Sequence, residues 1–471
     1  MNSPLRSLVV LGGAVAAALG PGACPAQGQW QSLNGGVSHA VYSFCVLPEE
    51  EYLLVGGSFP WLNTDSVRVN NMASWNGLEW STDHTGGGNG VTYIYGDPFG
   101  PVTTLVHWND TLYASFTASS WHEDPGIAYG AYLTDDTLWH ALPARPNSLV
   151  FFLPANGHLF MGGNAFELDS LPFPGVCEVV GGQFVPLPGI PFDTHANIWA
   201  CEYWHGRYYM GGRTPPGFQS HNIVSFDGMS QWYDLAQGVG GNHIRSVRGY
   251  GDSLYVGGFF NPGSNVQSRH IQIWDGEAWH PFFPGVVEFV SQVFDMKVHE
   301  GALYICGNFQ FDPDGPLYGI LRFDGHHLCA IGGPIPWSDN TGIAFFQNEL
   351  YMGLGHDFPG LEYQWIGRLP LEGLVPDECY EVVTGVPDAA SNALGITVFP
   401  NPAGGQLTVS GLGPYAGGHL YVMDMLGRMV MAPLRIASPV VQLDIDRLPS
   451  GGYMVRLDNT HGTRMQRFVK Q

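Results

Sequence analysis

Positive charge is scarce through most of this chain: residues 27–393 hold 37 acids against 10 bases, a net of −27, within a total of −23. Such a surface repels phosphate backbones and anionic lipid, which argues against nucleic acid as a partner. Long apolar runs are also missing. After the N-terminus none approaches the ~20 residues that a membrane-spanning helix needs, so no transmembrane segment is expected in the mature chain. No Cys-x-x-Cys spacing, no Gly-x-Ser-x-Gly and no local Ser-His-Asp signature occurs. Gly86-Gly87-Gly88-Asn89-Gly90 is followed by neither a helix nor a Lys-Ser/Thr pair, so it reads as a loop and not as a phosphate cradle. Glycine (65) and proline (35) are abundant but follow no three-residue period, which excludes collagen and points to short strands joined by turns.

The first residues read as an export signal. Arg6 is their only charge, Leu8 to Leu19 is apolar, and small residues lead to Ala26, so residues 1–26 are expected to be removed. A lipoprotein reading through Cys24 is weakened by Pro21. Export places the six remaining cysteines (Cys45, Cys177, Cys201, Cys306, Cys329, Cys379) where disulfides persist, but six allow 15 connectivities, and the sequence chooses none.

Seven copies of one pattern fill residues 37–372: an apolar strand, a small-residue pair, a long polar loop, another strand, a tight turn, then usually an aromatic. The clearest pairs are Gly56-Gly57, Gly162-Gly163, Gly211-Gly212 and Gly257-Gly258, with worn copies at Ser115, Cys306-Gly307 and Gly353. The turns Asn76-Gly77, Asp227-Gly228, Asp275-Gly276 and Asp324-Gly325 favour tight hairpins, and Trp80, Trp139, Phe184, Trp232 and Trp279 open the strand that follows. A period near fifty residues built from short strands predicts an all-β, seven-bladed β-propeller over residues 27–379. The seventh copy has no aromatic outer strand. Gly28 to Gly36, centred on Trp30, looks like one without a blade of its own, so this segment is expected to close the last blade and remove two open sheet edges.

The repeat resembles the kelch and galactose-oxidase class of propellers. It is closer still to bacterial and fungal surface repeats reading Val-Gly-Gly-x-Phe, as in Val55-Gly56-Gly57-Ser58-Phe59 and Val256-Gly257-Gly258-Phe259-Phe260. The resemblance implies a fold and leaves activity open. The Cys, Tyr and His set of a copper radical oxidase is not found at matching places.

A linker is expected over residues 380–393, and from residue 394 the pattern changes. Ile396 to Ala403, Val422 to Arg428 and Leu448 to Leu457 resemble, in order and spacing, the C-terminal sorting domain of the type IX secretion pathway of Bacteroidetes-like bacteria. Leu407, Val409, Leu420, Val422, Leu443, Ile445, Val455 and Leu457 alternate as half-buried strands do, which predicts a small Ig-like β-sandwich over 394–471. The resemblance implies the type IX machinery as a partner and a secreted or outer-membrane surface location, with the tail removed or exchanged for an anchor.

Propeller ligands bind over the central channel, and the loops after each second strand lie on that face. There the candidate ligand-binding residues are Trp61, Trp121, His122, Glu123, Asp124, His356 and Asp357. Carboxylates, imidazoles and exposed aromatics can hold a cation or stack on sugars. Asp312 and Asp314 are candidate calcium ligands, although Asp312-Pro313-Asp314-Gly315 lacks the later acid of an EF-hand; no other cofactor is expected. The expected function is a non-catalytic recognition or structural module with a glycan or protein ligand. The alternative is a carbohydrate-active enzyme (hydrolase, lyase or oxidase) on the same face.

Overall fold

The computed structural model of the protein describes residues 30–47, 51–62, 67–86, 100–116, 129–134, 139–142, 146, 148–163, 167–168, 171–173, 175–190, 196–213, 222–240, 243–260, 270–282, 288–312, 314–335, 340–355, 365–381, 397–400, 403–412, 415, 417–424, 429–459 and 462–470. The chain divides into two compact units, Met1–Val382 and Val383–Gln471. The described residues form strands and turns, with no α-helix among them.

In the first unit seven antiparallel sheets follow one another along the chain. Their first strands are Val41–Val46, Val102–Trp108, Val150–Ala155, Asn197–Trp204, His243–Tyr250, Glu288–His299 and Asn340–Phe346. In the first five sheets four strands pair in chain order; the sixth has a fifth strand and the seventh three of its own. Each first strand lies beside the first strand of the next sheet, and Asn340–Phe346 lies beside Val41–Val46, so the seven sheets close into a cycle of neighbours.

The small pair makes this stacking possible, and its two members act differently. The first faces the next sheet: a Cβ on Gly211 would stand 2.6 Å from Ile244, and one on Gly257 2.6 Å from Val293. The second lies under its own first strand, where a Cβ on Gly57 would meet the Ala40 carbonyl oxygen at 2.1 Å. Gly353 of the seventh sheet faces Val41 as Gly211 faces Ile244.

The hairpin turns form as the sequence requires. Gly77, Gly228, Gly276 and Gly325 take φ of 98°, 83°, 103° and 96°. The preceding Asn or Asp caps each turn: Asn76 Oδ1 accepts from the Leu78 and Glu79 amides, and Asp275 Oδ1 from those of Glu277 and Ala278.

The aromatic after the turn tethers its sheet to the one before. Trp139 Nε1 donates to the Thr85 carbonyl (2.8 Å), Trp232 to Pro188 (3.1 Å) and Trp279 to Leu235 (2.9 Å), each acceptor just beyond the preceding sheet's fourth strand. Trp80 of the first sheet donates to Leu33 at 2.6 Å, so the N-terminal segment stands where a preceding fourth strand would. The same segment pairs with the seventh sheet, since Gln31 and Arg368 exchange backbone hydrogen bonds of 2.8 and 3.0 Å. Trp30 rests on Gly332 of the sixth sheet as Trp139 rests on Gly86. Trp80→Phe keeps an aromatic ring against Trp75 but removes the indole donor together with part of the ring, so a loss of about 1–3 kcal/mol in unfolding free energy is expected, read by denaturant titration.

The fifth strand of the sixth sheet, Glu378–Glu381, pairs with His327–Pro334, and the Cys329–Cys379 disulfide joins the two at directly opposed positions. Tyr380 and Glu381 are therefore strand residues, which corrects the expectation of a linker starting at 380. Cross-strand pairing outweighs the local turn-like composition that suggested it. Cys45, Cys177, Cys201 and Cys306 are buried thiols.

In the second unit, Thr397–Phe399, Gln406–Ser410 and Val440–Asp444 form one sheet; Leu434–Arg435, His419–Asp424, Gly451–Asn459 and Gly462–Lys470 form another. All eight residues expected to face inward, Leu407 through Leu457, are buried in one core with Tyr453 and Phe468.

Candidate functional site

The site grows out of a repeated irregularity. Six of the seven first strands slip register against their second strand, between Val41 and Ser43, Val102 and Thr104, Ile198 and Ala200, Ile244 and Ser246, Val293 and Asp295, and Asn340 and Gly342. A slip leaves one residue without a cross-strand partner and re-aims its side chain. Those residues are Tyr42, Thr103, Trp199, Arg245, Phe294 and Thr341; in the third sheet the register runs through, and Phe151 stands at the matching place.

Aromatic rings from neighbouring sheets meet there. Phe151 contacts Trp199 edge-on at 6.5 Å, and Trp199 contacts His243 at 4.7 Å. His243 lies 6.0 Å from Phe259, which stacks on His270 at 5.5 Å. Arg245, exposed, holds its guanidinium 5.8 Å over the Phe294 ring. Its Nε donates to His243 Nε2 at 3.4 Å. Burial, and then the neighbouring Arg245 charge, lower the His243 pKa to about 4, so at pH 7 the imidazole is neutral and can accept this bond.

Polar side chains at the slip or one position beyond it hold the first strands in place. Ser246 Oγ accepts the Met296 amide at 3.1 Å, Asp295 Oδ2 accepts the Ile343 amide at 3.2 Å, and Thr341 donates to the Val41 carbonyl. These bonds run from the fifth sheet to the sixth, the sixth to the seventh, and the seventh to the first.

Second strands end opposite the beginnings of first strands, as in Val41↔Gly57 and His243↔Phe259. The aromatic arc thus lies at the strand ends from which the long second-strand loops depart. Of the residues expected on those loops, Trp61 is described. It lies half-buried in a short hairpin, opposite Arg68, and its backbone is tied to Ser38. Asp312 and Asp314 share one turn, in which Asp312 Oδ1 accepts the Asp314 amide at 3.1 Å and the Asp312 carbonyl accepts the Gly315 amide at 2.8 Å. Among the described residues no three His, Cys, Asp or Glu side chains gather as a metal site. Trp121, His122, Glu123, Asp124, His356 and Asp357 lie outside the described residues.

Sequence reading overlooked Phe151, Trp199, Arg245 and Phe294. A signal existed: aligned on the small pair, the first strands read Val41-Tyr42-Ser43, Val102-Thr103-Thr104, Ile198-Trp199-Ala200, Ile244-Arg245-Ser246 and Val293-Phe294-Asp295. A buried β-branched residue precedes the slipped position, and a small or hydrogen-bonding residue follows it.

Seven antiparallel sheets closed in a cycle and a separate all-β C-terminal unit define a two-unit, all-β protein. Residues 397–471 match the family described as secretion system C-terminal sorting domain, and the C-terminal unit is a sorting domain of the type IX pathway. The chain is accordingly exported by that pathway, to the medium or to the outer-membrane surface. No curated protein matches the chain. Among solved structures, it is similar to the extracellular domain of a protein from B. thetaiotaomicron described as a one-component system, BT4673. The match has 9% identity, covers 92% of this chain and 68% of that one, and has a TM-score of 0.30, too loose to assign a fold. No helix among the described residues is long and apolar enough to cross a membrane.

Proposed function

We propose that the first unit is a kelch-like, seven-bladed β-propeller closed by residues 28–36, and that the exported protein is a non-catalytic recognition module whose ligand lies over the propeller axis. The type IX tail, read as an Ig-like sandwich, delivers it and is then removed or exchanged for an anchor. The reading rests on one observation above all: Phe151, Trp199 and His243 come from the first strands of three consecutive sheets and still touch ring to ring. Partly exposed rings on a rigid scaffold offer flat apolar faces to a ligand at little cost in side-chain entropy, which suits a glycan. The second-strand loops, with Trp61, Trp121, His122, Glu123, Asp124, His356 and Asp357, would form the wall around this floor.

The test is a glycan array probed with the mature protein and with Trp199→Ala, with and without calcium. Glycan binding that falls at least tenfold in the variant, at an unchanged melting temperature, is the expected result. Binding indifferent to Trp199 would overturn the floor assignment. Release of shortened sugars from a bound glycan would replace the recognition reading with the carbohydrate-active enzyme. A calcium requirement would direct attention to Asp312 and Asp314.

A further inference from the structure

We propose that the seam between the seventh and first sheets carries a second stacking site, built on Trp365 and His39, that takes a neutral sugar residue. The inference rests on the recognition reading above and adds a site that the arc through Trp199 does not contain.

The residue just before the third strand is left-handed in five sheets: Asn71, Gly175, Asn222, His270 and Trp365 take φ of 62°, 86°, 67°, 63° and 59°. This conformation turns a carbonyl toward the end of the second strand, where the Gly57, Gly212, Gly258 and Leu354 amides donate to Asn71, Asn222, His270 and Trp365 at 2.9, 2.9, 2.9 and 2.7 Å. Glycine, asparagine and histidine suit such a position, whereas a residue as bulky as tryptophan is an outlier there and carries strain. Three of the others also use their side chains locally. Asn71 Nδ2 donates to the Gly100 carbonyl at 3.5 Å, Asn222 Nδ2 donates to the Val239 carbonyl at 3.1 Å, and His270 Nδ1 accepts the Phe260 amide at 3.2 Å. Among the described residues the Trp365 indole makes no such bond and lies against the His39 ring instead. A strained residue that takes no part in the local bonding its counterparts provide points to a role outside the fold.

His39 and Trp365 stack with centroids 5.8 Å apart and planes 22° from parallel. His39 is exposed, and Trp365 is half-buried, packed against the core cluster that holds Val37 and Leu62. Both rings stand on fixed backbone. Beside His39, Ser38 exchanges hydrogen bonds of 3.1 and 3.2 Å with Trp61, and the Ala40 carbonyl accepts the Ser58 amide at 2.8 Å. A sugar laid on such a pair gains apolar contact for its ring face, and its hydroxyls find partners in the indole and imidazole nitrogens. A proline-rich peptide offers a similar apolar face but no hydroxyls, so the pair favours the sugar. The net charge of −27 over residues 27–393 repels an acidic ligand, which leaves a neutral one. Along the cycle of sheets the seventh and the first are each three steps from the fourth, which bears Trp199, so this site is separate from the arc. His39 belongs to the N-terminal segment and Trp365 to the last sheet. A sugar bound to both ties together the two ends of the cycle, and binding then stabilises its closure.

Isothermal titration and thermal unfolding of the mature full-length protein test this with cellohexaose, mannohexaose, maltohexaose and xylohexaose, and with a proline-rich peptide. At least one hexasaccharide is expected to bind, and at saturation to raise the unfolding midpoint. Trp365→Asn, which installs the residue used here by the first and fourth sheets, should bind that sugar at least tenfold more weakly, while its own unfolding midpoint stays level or rises as strain is relieved. His39→Ala, at an exposed side chain, should weaken the same sugar at least threefold without lowering the midpoint. A lowered midpoint in Trp365→Asn would mark the ring as core packing and overturn the proposal, as would undiminished binding in either variant. Binding that falls with Trp199→Ala but not with Trp365→Asn overturns the seam site and leaves the recognition reading standing. Failure of all four sugars, or Trp365-dependent binding of the peptide alone, also overturns it, and Trp199-dependent array binding then tells whether glycan recognition survives.

Discussion

Gly212→Ala is expected to cost at least about 3 kcal/mol of stability, at or beyond the upper end of ordinary overpacking, and to lower the soluble yield of the full-length protein. The added Cβ would lie 1.8 Å from the Asn197 carbonyl oxygen and 2.9 Å from the Ile198 Cα. Both are backbone atoms of the adjoining first strand, at the register slip that frees Trp199, so no side-chain rotation relieves the clash. Gly211→Ala meets Ile244 Cγ2 at 2.6 Å, a side-chain atom of the next sheet that can give way, and should cost less. Gly181→Ala meets nothing within 4 Å and bears only the strain of its φ of 55°, about 1–2 kcal/mol. Denaturant midpoints should therefore fall in the order Gly212, Gly211, Gly181, largest loss first. A Gly212→Ala protein as stable as Gly181→Ala would mean that the first strand moves freely, and that the slipped residues are not rigidly aimed. Phe116 and Leu354 occupy the register position of Gly212 in the second and seventh sheets, so the crowding belongs to the sheets that keep glycine there.

That order depends on features the sequence carries unevenly. Strands, turns and the tail's inward-facing positions are local matters of alternation and turn chemistry, and Asn76-Gly77 or Leu407 through Leu457 could be assigned from neighbouring residues alone. The tryptophans after four of the turns were visible, but their partners were not. Leu33 lies 47 residues from Trp80, and its backbone carbonyl carries no side-chain mark. Arg245 and Trp199 were hidden for a related reason: a one-residue slip sets their direction, and slips arise from pairing with a second strand. Loop composition drew attention to Trp121 to Asp124 and His356-Asp357, which are chemically conspicuous, while the arc residues look like ordinary strand residues until register is known. The disulfide was one of 15 possible pairs among six cysteines, and it escaped the sequence because the strand bearing Cys379 joins the sixth sheet only after the chain has built the seventh.

Breaking that disulfide is the second large effect expected. Cys329 and Cys379 are 50 residues apart, and for a loop of that length the unfolded-chain entropy released on reduction corresponds to about 4 kcal/mol. The loop contains the whole seventh sheet, Asn340–Phe346 through Ile366–Pro370, which has only three strands of its own and the Gln31 bridge. Opening it would loosen the place where the cycle of sheets closes. Other contacts along the strap are weaker: the Gly333 amide on Asp377 at 2.7 Å, Tyr380 on Glu378 at 2.6 Å, and the Phe311–Tyr380 ring pair at 4.7 Å. Cys379→Ser, or reduction of the native protein, should thus lower the unfolding midpoint and speed proteolysis after residue 370, ahead of the sorting tail. Thiol labelling supplies an independent count. Burial raises the Cys45 pKa to about 11 and that of Cys177 to about 12, and raises Cys201 and Cys306 as well. No thiolate forms readily at any of the four, so the native oxidised protein should label at none of them and the reduced protein at two positions, Cys329 and Cys379. If reduction left the midpoint unchanged, the strap would contribute no stability, and closure of the cycle would rest on Gln31, Trp30 and the contacts between the seventh and first sheets, among them the Thr341 to Val41 bond and the Trp75 indole on the Tyr351 hydroxyl at 3.2 Å.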